Sequence, residues 1–495
     1  MATPIPTNRA RFTVDEVAAA TNGTVVRRGS ISEATGVAID NRAITAGNVF
    51  VAIKGKVHDG HTLVPDAGLA GATILVVERG RAEPFVDSLP SEATLIEVAD
   101  TVVALGDLAG AHLARWRAAG TGQKVVGITG SAGKTTTKEL TAVLLGAVAP
   151  VHFTAGNLNN RIGVPLVVLG LEDTHRFAVL EMGMSLPGEL DSITSFARPD
   201  VSVVTNVGMA HAEGVGGPDG VMHEKAALYR ALDPLGVAIV NADDERATRA
   251  AQGTKAGTIV TFGTAEGATY RLVRREPRGE SGSVVTLATP GRELTLQLPL
   301  PGEVSAIDLC AALAAQETAS GDLLQPETID GVLATVRLAG RASVKHLGGD
   351  VVVLDDTYNA NPASMRSALA TLAEISRGGA TERRRVAILG EMKELGAHAD
   401  AEHVALGDAI AAAGVALVIG CGGLVSRALD RAAELGVEVV RAETTADAAR
   451  EATARVRRSD AVLVKGSRGV QAEKVVAALS EAWPSAEKSA GSQVE

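Results

Sequence analysis

The chain has 495 residues, which is enough for about three domains of ordinary size. Apolar residues make up 46% of the sequence but aromatic residues only 2%, so alanine, valine and leucine must fill the cores of packed helix and sheet layers. The formal charge of −11 argues against a general nucleic-acid or membrane-surface binder, because both need a basic face.

The N-terminal stretch MATPIPTNRARFTV lacks the apolar segment of a secretion signal, and no apolar run reaches the length of a membrane span. The two cysteines, Cys310 and Cys421, lie far apart without metal-ligand spacing, which is typical of buried thiols in a reducing compartment. We therefore expect a cytoplasmic protein with inert cysteines, no nucleic-acid partner and no integral membrane contact.

Residues 1–122 are predicted to form a mixed α/β domain. Short strands such as NVFVAIKG and ATILVVE alternate with glycine turns, and TVVALGDLAGAHLARWRAAG predicts a helix at the end. The polar GTGQK segment that follows is predicted to be a linker.

Residues 123–337 are predicted to form a central parallel-sheet domain. The runs VVGIT, FAVLEMG, VSVVTNVG and GVAIVNADD each end at a glycine or polar turn before a helix, as in a parallel sheet with crossover helices. Between residues 264 and 300 the pattern changes to alternating strands, which predicts a small antiparallel annex.

Residues 338–495 are predicted to form a second doubly wound, Rossmann-like domain. The runs VVVLDD, VAILG, ALVIG, VEVV and AVLVKGS are separated by alanine-rich helices. From about residue 484 the sequence is polar and rich in small residues, so we expect a frayed tail. The expected fold class is α/β with three domains.

The stretch VVGITGSAGKTTTKEL, residues 125–140, predicts a phosphate-binding loop. Glycines let backbone N–H groups converge on phosphate oxygens, a lysine reaches the β- and γ-phosphates, and a hydroxyl binds Mg²⁺. Ile128 stands where the strict template has glycine, so the loop is a shortened form, and the alternative is an ordinary surface turn. We expect ATP and Mg²⁺ here, with the ATP-binding residues Gly130, Ser131, Ala132, Gly133, Lys134, Thr135 and Thr136.

Polar side chains follow the other central strands, at the sheet edge where parallel sheets bind ligands. Glu181 ends FAVLE, His211 follows VSVVT, and Asn241 follows GVAIV. Each alone could cap a helix or fix a turn. Together with the phosphate loop they predict a Mg²⁺–nucleotide site with Thr135, Glu181 and His211 as metal ligands and Asn241 near the nucleotide.

The stretch TAGNLNNRIGVP, residues 154–165, combines three asparagines with two glycines. It is either a plain loop or a loop whose side chains hold a polar substrate. The substrate-binding candidates are Thr154, Asn157, Asn159 and Asn160.

Two polar stretches end strands of the third domain. VVVLDDTYNANPASM, residues 351–365, carries carboxylates, a tyrosine and asparagines before Pro362 begins a helix, although a helix cap and an Asx turn could explain them. The last strand ends in KGSR, a basic helix N-terminus suited to a carboxylate or phosphate. The candidates are Asp356, Tyr358, Asn359, Asn361, Lys465, Ser467 and Arg468.

These motifs resemble the Mur ligases of peptidoglycan synthesis over essentially the whole chain. GITGSAGKTTTKE is similar to the family's shortened phosphate loop, and DDTYNANPASM and LGEMKELG are similar to its C-terminal motifs. TAGNLNNRIGVP and VLVKGSR resemble the member that adds D-alanyl-D-alanine. DNRAITAGNVFVAIKGKVHDGH resembles the UDP-binding domain, with Asn41 where serine is usual, and implies substrate contacts from Asp40, Asn41, Arg42, Lys54, Asp59 and His61.

The resemblance adds three residues to the nucleotide site. Arg341, after Gly340, matches the family's nucleotide-contacting arginine. Asp308 stands where the family commonly has an asparagine near adenine; an aspartate can accept from the adenine amino group but cannot donate as an amide does. Lys225 matches a lysine that is often carbamylated and would then be a metal ligand, whereas its position alone favours a solvated helix lysine.

The implied reaction joins a carboxylate to an amine at the expense of ATP. The γ-phosphoryl group passes to the free carboxylate of a UDP-N-acetylmuramoyl tripeptide, and D-alanyl-D-alanine attacks the acyl phosphate in a monomeric enzyme. The implied catalytic residues are Lys134, Glu181, His211, Lys225 and Asp356. The alternatives are another Mur-type ligase, a folylpolyglutamate synthetase, a phosphotransferase acting on a hydroxyl, and a scaffold that binds nucleotide without catalysis.

Overall fold

The computed structural model describes residues 3–55, 57–209, 212–378 and 382–485. Within them the chain forms sheets of five, nine and six strands and a two-stranded antiparallel sheet, and each sheet is built from one consecutive part of the sequence. Helices connect most of the parallel strands. The predicted α/β class with three sheet-containing parts is confirmed.

The first part carries the five-stranded sheet. The strands of the sheet are β2 (Thr24–Arg27), β4 (Val37–Ala38), β5 (Val49–Val51), β6 (Ile74–Glu78) and β7 (Thr94–Val98), while β1 (Arg11–Thr13) and β3 (Glu33–Thr35) form the two-stranded sheet; the helices of this part are α1 (Val14–Thr21), α2 (Val64–Leu69) and α3 (Thr101–Ala119). The sheet order is β2-β7-β6-β5-β4, and only β2 runs antiparallel to its neighbour. The helix predicted at the end of this part is α3.

The second part carries the nine-stranded sheet. Its strands are β8 (Lys124–Thr129), β9 (Val151–Phe153), β10 (Phe177–Glu181), β11 (Val201–Val204), β12 (Val237–Asn241), β13 (Thr258–Gly263), β14 (Tyr270–Pro277), β15 (Ser283–Thr289) and β16 (Arg292–Leu298). Its helices are α4 (Lys134–Gly146), α5 (Gly163–Leu169), α6 (Glu189–Ala197), α7 (Ala212–Val215), α8 (Pro218–Arg230), α9 (Glu245–Ala251), α10 (Glu303–Ser320) and α11 (Pro326–Leu333). The order is β16-β15-β14-β13-β12-β11-β8-β10-β9.

The antiparallel strands of this part are not a separate sheet. β14 pairs with the parallel strand β13 through Phe262 and Tyr270, and β15 and β16 follow as antiparallel neighbours. The predicted annex therefore extends one edge of the central sheet. Helix α10 packs against both β14 and α4, so the annex and the helix after the phosphate loop share one core.

The third part carries the six-stranded sheet. Its strands are β17 (Ser343–Leu347), β18 (Val351–Asp356), β19 (Arg385–Gly390), β20 (Leu417–Cys421), β21 (Glu438–Ala442) and β22 (Ala461–Lys465), and its helices are α12 (Pro362–Ile375), α13 (Ala399–Ala412), α14 (Val425–Glu434), α15 (Thr445–Arg455) and α16 (Glu473–Ala482). The order is β17-β18-β22-β19-β20-β21. The five predicted strands are confirmed, and the antiparallel edge strand β17 was missed. Residues 486–495 of the predicted frayed tail lie outside the described residues.

The three parts are packed together. Leu108 and Trp116 of α3 belong to the same apolar core as Leu166 of α5. On the other side, Arg275 of β14 makes two hydrogen bonds, of 2.9 and 2.5 Å, with the carboxylate of Glu374 on α12. The third part is therefore held against the annex by a charged contact rather than by a shared core.

Both cysteines are free thiols and buried, as the sequence predicts. Among the described residues, no helix is both long enough and apolar enough to cross a membrane.

Candidate active site

The phosphate loop is held rigidly at the end of β8. Gly130 and Gly133 have φ values of 155° and 81°, and a Cβ atom on Gly130 would lie 1.8 Å from the hydroxyl oxygen of Thr205. The side chain of Asn206 accepts from the N–H of Ala132 at 2.9 Å and donates to its carbonyl at 3.0 Å. The two residues after β11 therefore fix the loop in place before any ligand binds.

Lys134 is the first residue of α4, and its ammonium stays within the loop. Its Nζ donates to the carbonyl of Gly130 at 2.9 Å. Burial lowers the pKa of Lys134 below its ordinary value. The negative charge of Glu181 acts against this shift, and the positive charge of Arg341 adds to it. These three charged side chains consequently surround one small volume at the loop.

Glu181 is fully buried at the end of β10, where it accepts two hydrogen bonds. The hydroxyl of Thr135 donates at 2.6 Å and the amide of Asn159 donates at 2.8 Å. Hydroxyl and carboxylate oxygens are the hard donors that Mg²⁺ prefers, so this pair fits the ion. The predicted ligand His211 lies outside the described residues, which contain no cluster of three or more histidine, cysteine or acidic side chains suited to a metal.

Lys225 lies in the second turn of α8 and is only 2% exposed. The expectation from position alone, a solvated helix lysine, is therefore wrong. Burial holds the pKa of Lys225 well below its ordinary value, the charge of Lys134 lowers it further, and Glu224 opposes this. Among the described residues, none accepts a hydrogen bond from its Nζ.

A cavity of about 490 Å³ joins this region to the third part of the chain. It is lined from the second part by the phosphate loop, by the loop after β9 and by the start of α10, and from the third part by residues after β18 and β22. The predicted residues that line it are Gly130, Ser131, Ala132, Gly133, Lys134, Thr136, Asn157, Asn159, Asn160, Glu181, Lys225, Asp308, Arg341, Asp356, Tyr358, Asn359, Asn361, Lys465 and Arg468.

The wall formed by the third part is built on one buried ion pair. Lys465, at the end of β22, donates to Asp356 at 2.5 Å and to the carbonyl of Asn359 at 2.8 Å. Strands β18 and β22 are parallel neighbours, and Asp356 is in register with Lys465. The two strand ends therefore present one polar surface to the cavity.

Two contacts connect this wall to the nucleotide loop. Asn361 caps α12 by accepting from the N–H of Ser364 at 2.9 Å, and its amide donates to the carbonyl of Ser131 at 3.2 Å. The guanidinium of Arg341 lies 3.7 Å from the centre of the Tyr358 ring, a cation–π contact. The helix cap that could have explained Asn361 is present, and the same side chain also contacts the phosphate loop.

The predicted residues Asn241, Thr154 and Ser467 of the second and third parts do not line this cavity. The amide of Asn241 donates to the carbonyl of Thr205 at 2.7 Å, and Asn241 lines a neighbouring cavity beyond Asn206. Thr154 is buried and accepts from the N–H of Glu181 at 2.9 Å, and the buried Ser467 hydroxyl accepts from the N–H of Lys393 at 2.9 Å. Thr154 and Ser467 thus support the cavity walls from behind.

The predicted residues of the first part do not line the cavity. Asp40 accepts from Arg42 at 2.5 Å, and this hydrogen bond lowers the pKa of Asp40. Lys54 and Asp59 form an isolated antiparallel bridge, and Asn41 begins a short helical turn after Asp40. This group forms a second polar region on the first part of the chain.

His61 cannot contact a substrate in this arrangement, because it is 1% exposed and both ring nitrogens are used. Its Nε2 accepts from the N–H of Glu78 at 3.0 Å, so Nδ1 carries the proton and donates to Asp59 at 2.7 Å. Burial acts to raise the pKa of Asp59, but hydrogen bonds from His61 and Arg81 hold it well below its ordinary value. Sequence reasoning missed Arg81, because nothing local marks a partner 22 residues away.

Comparison with known proteins agrees with this architecture. Three family models match: "Mur ligase family, catalytic domain" over residues 33–112, "Mur ligase middle domain" over 128–316, and "Mur ligase, glutamate ligase domain" over 340–468. The chain is 34% identical over 447 residues to the UDP-N-acetylmuramoyl-tripeptide–D-alanyl-D-alanine ligase of Escherichia coli, covering 90% of this chain and 93% of that protein.

Two solved structures have the same overall arrangement. MurF from Acinetobacter baumannii superimposes with a TM-score of 0.83 at 31% identity, covering 96% of this chain and all of that one. MurF from Thermotoga maritima in complex with ADP gives a TM-score of 0.76 at 27% identity, covering 90% and 97% of the two chains. On the full-length identity and the three matching domains, this chain is a member of the Mur ligase family.

Proposed function

We propose that this chain is an ATP-dependent ligase that adds D-alanyl-D-alanine to a UDP-N-acetylmuramoyl tripeptide. The observation that carries the proposal is the single cavity that joins a phosphate loop, the Glu181 and Lys225 side chains, and the polar wall around Asp356. Its relatives of that name in Escherichia coli and Synechocystis, 34% and 35% identical, support the choice of substrates.

We assign activation of the tripeptide to the second part of the chain. The carboxylate oxygen of the tripeptide attacks the γ-phosphorus of ATP, the bond to the β-phosphate oxygen breaks, and ADP leaves. Lys134 and the N–H groups of the phosphate loop neutralise the charge of the migrating phosphoryl group. Thr135, Glu181 and a carbamylated Lys225 would hold Mg²⁺, which when bound aligns the phosphate oxygens and stabilises their charge.

Carbamylation of Lys225 is supported by its burial. The reaction needs a neutral amine, whose nitrogen bonds to the carbon of CO₂ and loses a proton, leaving an anionic carbamate. Burial and the nearby charge of Lys134 both favour that neutral amine. The carbamate converts a cation into a hard oxygen ligand.

We assign the amine to the wall formed by the third part. The nitrogen of D-alanyl-D-alanine attacks the acyl carbon, the bond to the phosphate oxygen breaks, and the nitrogen loses a proton. Asp356 is suited to accept this proton because its carboxylate borders the cavity, and Arg468 is suited to bind the carboxylate of the dipeptide. Tyr358, Asn359 and Asn361 would close the site against water.

We further propose that residues 1–122, 123–337 and 338–495 form the UDP-binding, ATP-binding and amine-binding domains. In this division the polar group around Asp40 and Asp59 binds the UDP end of the substrate. None of these residues lines the catalytic cavity, as expected for a long nucleotide-linked peptide that spans two domains.

The test combines the purified protein with ATP, Mg²⁺, the UDP-muramoyl tripeptide and D-alanyl-D-alanine. We expect the pentapeptide product by mass spectrometry, and phosphate release that requires both the carboxylate and the amine substrate. The Lys134→Ala variant is the negative control. Phosphate release without the amine would contradict ligase activity, and nucleotide binding without turnover would support a scaffold.

A further inference from the structure

Asp308 lies in the second turn of α10, and its carboxyl group faces the phosphate loop. The side chain is 3% exposed and borders the catalytic cavity. A Cβ atom built on Gly133 would lie 2.5 and 3.0 Å from its two carboxyl oxygens. The carboxyl group is therefore packed directly against the backbone that cradles phosphate.

Among the described residues, only the hydroxyl of Thr137 approaches this carboxyl group as a hydrogen-bond donor. This contact lowers the pKa of Asp308, but its geometry falls short of a regular hydrogen bond. Burial dominates and raises the pKa of Asp308 to about 8. A buried carboxylate without an ion-pair partner is costly, and burial therefore favours the neutral acid at neutral pH.

The ionisable groups around Asp308 are few. Lys134 and Arg341 border the same cavity, from the start of α4 and from the residues before β17. Cys310 on the same helix is raised in pKa by burial and by the charges of Asp243 and Asp308. Neither cation makes an ion pair with Asp308 among the described residues, because Lys134 donates to the carbonyl of Gly130 and Arg341 stacks on the ring of Tyr358.

An ionised carboxylate at this position would oppose nucleotide binding. The phosphates of ADP carry several negative charges, and like charges in a poorly solvated site repel strongly. A neutral carboxyl group behaves differently, because its O–H donates a hydrogen bond as an amide N–H does. The position then keeps the donor that an asparagine would supply, although only while the acid holds its proton.

We propose that Asp308 is a nucleotide-binding residue that acts as a neutral carboxylic acid and donates a hydrogen bond to a phosphate oxygen of ADP or ATP. The inference rests on the proposed function only for nucleotide binding at the phosphate loop. It makes nucleotide affinity depend on pH through one side chain. Asp308→Asn removes the titration and retains a donor.

The experiment measures ADP affinity by calorimetry in EDTA at half-unit steps from pH 6.5 to 9.5. We expect the wild type to bind ADP about tenfold more weakly at pH 9 than at pH 7, because only the protonated fraction is competent. Asp308→Asn should lack this component, so its affinity should fall by less than the wild type's over the same range. Asp308→Ala should bind more weakly than Asp308→Asn at pH 7, since it lacks the donor.

Asp322→Asn is the matched control, because Asp322 is an exposed acid just beyond the end of the same helix. It should reproduce the wild-type pH profile. If the ADP affinities of the wild type and of Asp308→Asn changed in parallel with pH, the proposal would be overturned. A shared change would come from groups that both proteins contain, such as Lys134 and Lys225. Adenosine should show no Asp308-dependent pH effect; if it did, the carboxyl group would contact the nucleoside and the phosphate assignment would be wrong.

The two proposals fail separately. ADP binding with the expected pH difference but no pentapeptide product would contradict the ligase function alone. Pentapeptide synthesis with parallel ADP profiles would contradict the role of Asp308 alone.

Discussion

The ion pair between Arg275 and Glu374 connects the annex of the central sheet to helix α12, and we predict that it stabilises the closed arrangement of the cavity. Arg275 is 10% exposed and Glu374 is 23% exposed. A second contact joins Glu280 to Arg383 at 3.1 Å across the same boundary. The perturbation is Arg275→Met, which keeps the length and apolar stem of the side chain but removes both hydrogen bonds to Glu374, together with the one that Nε donates to Ser283 within the annex.

The magnitude follows from the geometry and burial of the pair. Losing one partner of a fully buried pair costs about 3–5 kcal/mol, whereas an exposed pair contributes about 0–1 kcal/mol. Since Arg275 and Glu374 are only partly buried, we expect a loss of about 2 kcal/mol from the closed state. That corresponds to a roughly 30-fold smaller closing equilibrium constant, at about 1.4 kcal/mol per tenfold.

The assay places a fluorescent dye pair across the second and third parts of the chain and measures energy transfer with and without nucleotide. Arg275→Met should lower the closed fraction, and 0.5 M salt should lower the closed fraction more in the wild type than in the variant, which keeps the Glu280–Arg383 pair. Arg274→Met is the matched control, because the neighbouring Arg274 pairs with Glu276 on the same strand and is 70% exposed. Equal closed fractions in the Arg275 and Arg274 variants would refute the reasoning.

Four further outcomes are expected. Lys134→Ala should lower kcat by about 10²–10³ with unchanged circular dichroism, and activity within a few-fold of wild type would contradict the phosphate-loop role. Asp356→Asn should reduce ligation much more than calorimetric ADP binding; loss of ADP binding would contradict its assignment to the amine. Lys225→Ala should lose most activity and regain part with short-chain carboxylic acids, and a carbamate signal from ¹³C-labelled bicarbonate should appear only in the wild type. The raised pKa of Asp308 costs the folded wild type stability, and this cost grows from about pH 4 to about pH 8. Ligand-free Asp308→Asn has no such cost, so its free energy of unfolding should rise relative to that of the wild type by about 1.4 kcal/mol per pH unit between pH 5.5 and 7.5, and a constant difference would contradict the pKa shift.

Local patterns were enough to predict the framework of this protein. The apolar runs VVGIT and VVVLDD are short, rich in β-branched residues and followed by turns, and each forms a buried parallel strand, β8 and β18. The order glycine, lysine, threonine after β8 predicts a phosphate loop, because the loop and its helix are contiguous in sequence. Strand ends such as Glu181 also meet at one sheet edge for a topological reason that the alternation of strands and helices already contains.

Other features depend on residues brought together from distant parts of the chain. Asp356 meets Lys465 across 109 residues, and Asn361 meets the phosphate loop across 230. No periodicity or turn chemistry carries that information, because each pairing is decided by how whole sheets pack. The annex shows the same limit, since its strands are visible in the sequence but their attachment to β13 is not.

Burial was the property that position in the sequence did not reveal. Position alone favours a surface lysine at Lys225, and the resemblance implies a substrate contact from His61 and a place near adenine for Asp308. Packing buries all three, occupies both nitrogens of His61, and leaves the amine of Lys225 and the carboxyl of Asp308 beside the catalytic cavity. The sequence by itself determined which chemical groups this chain possesses and which strands carry them. Only the tertiary structure decided their protonation states and partners, because both depend on the solvent and charges that packing removes or supplies.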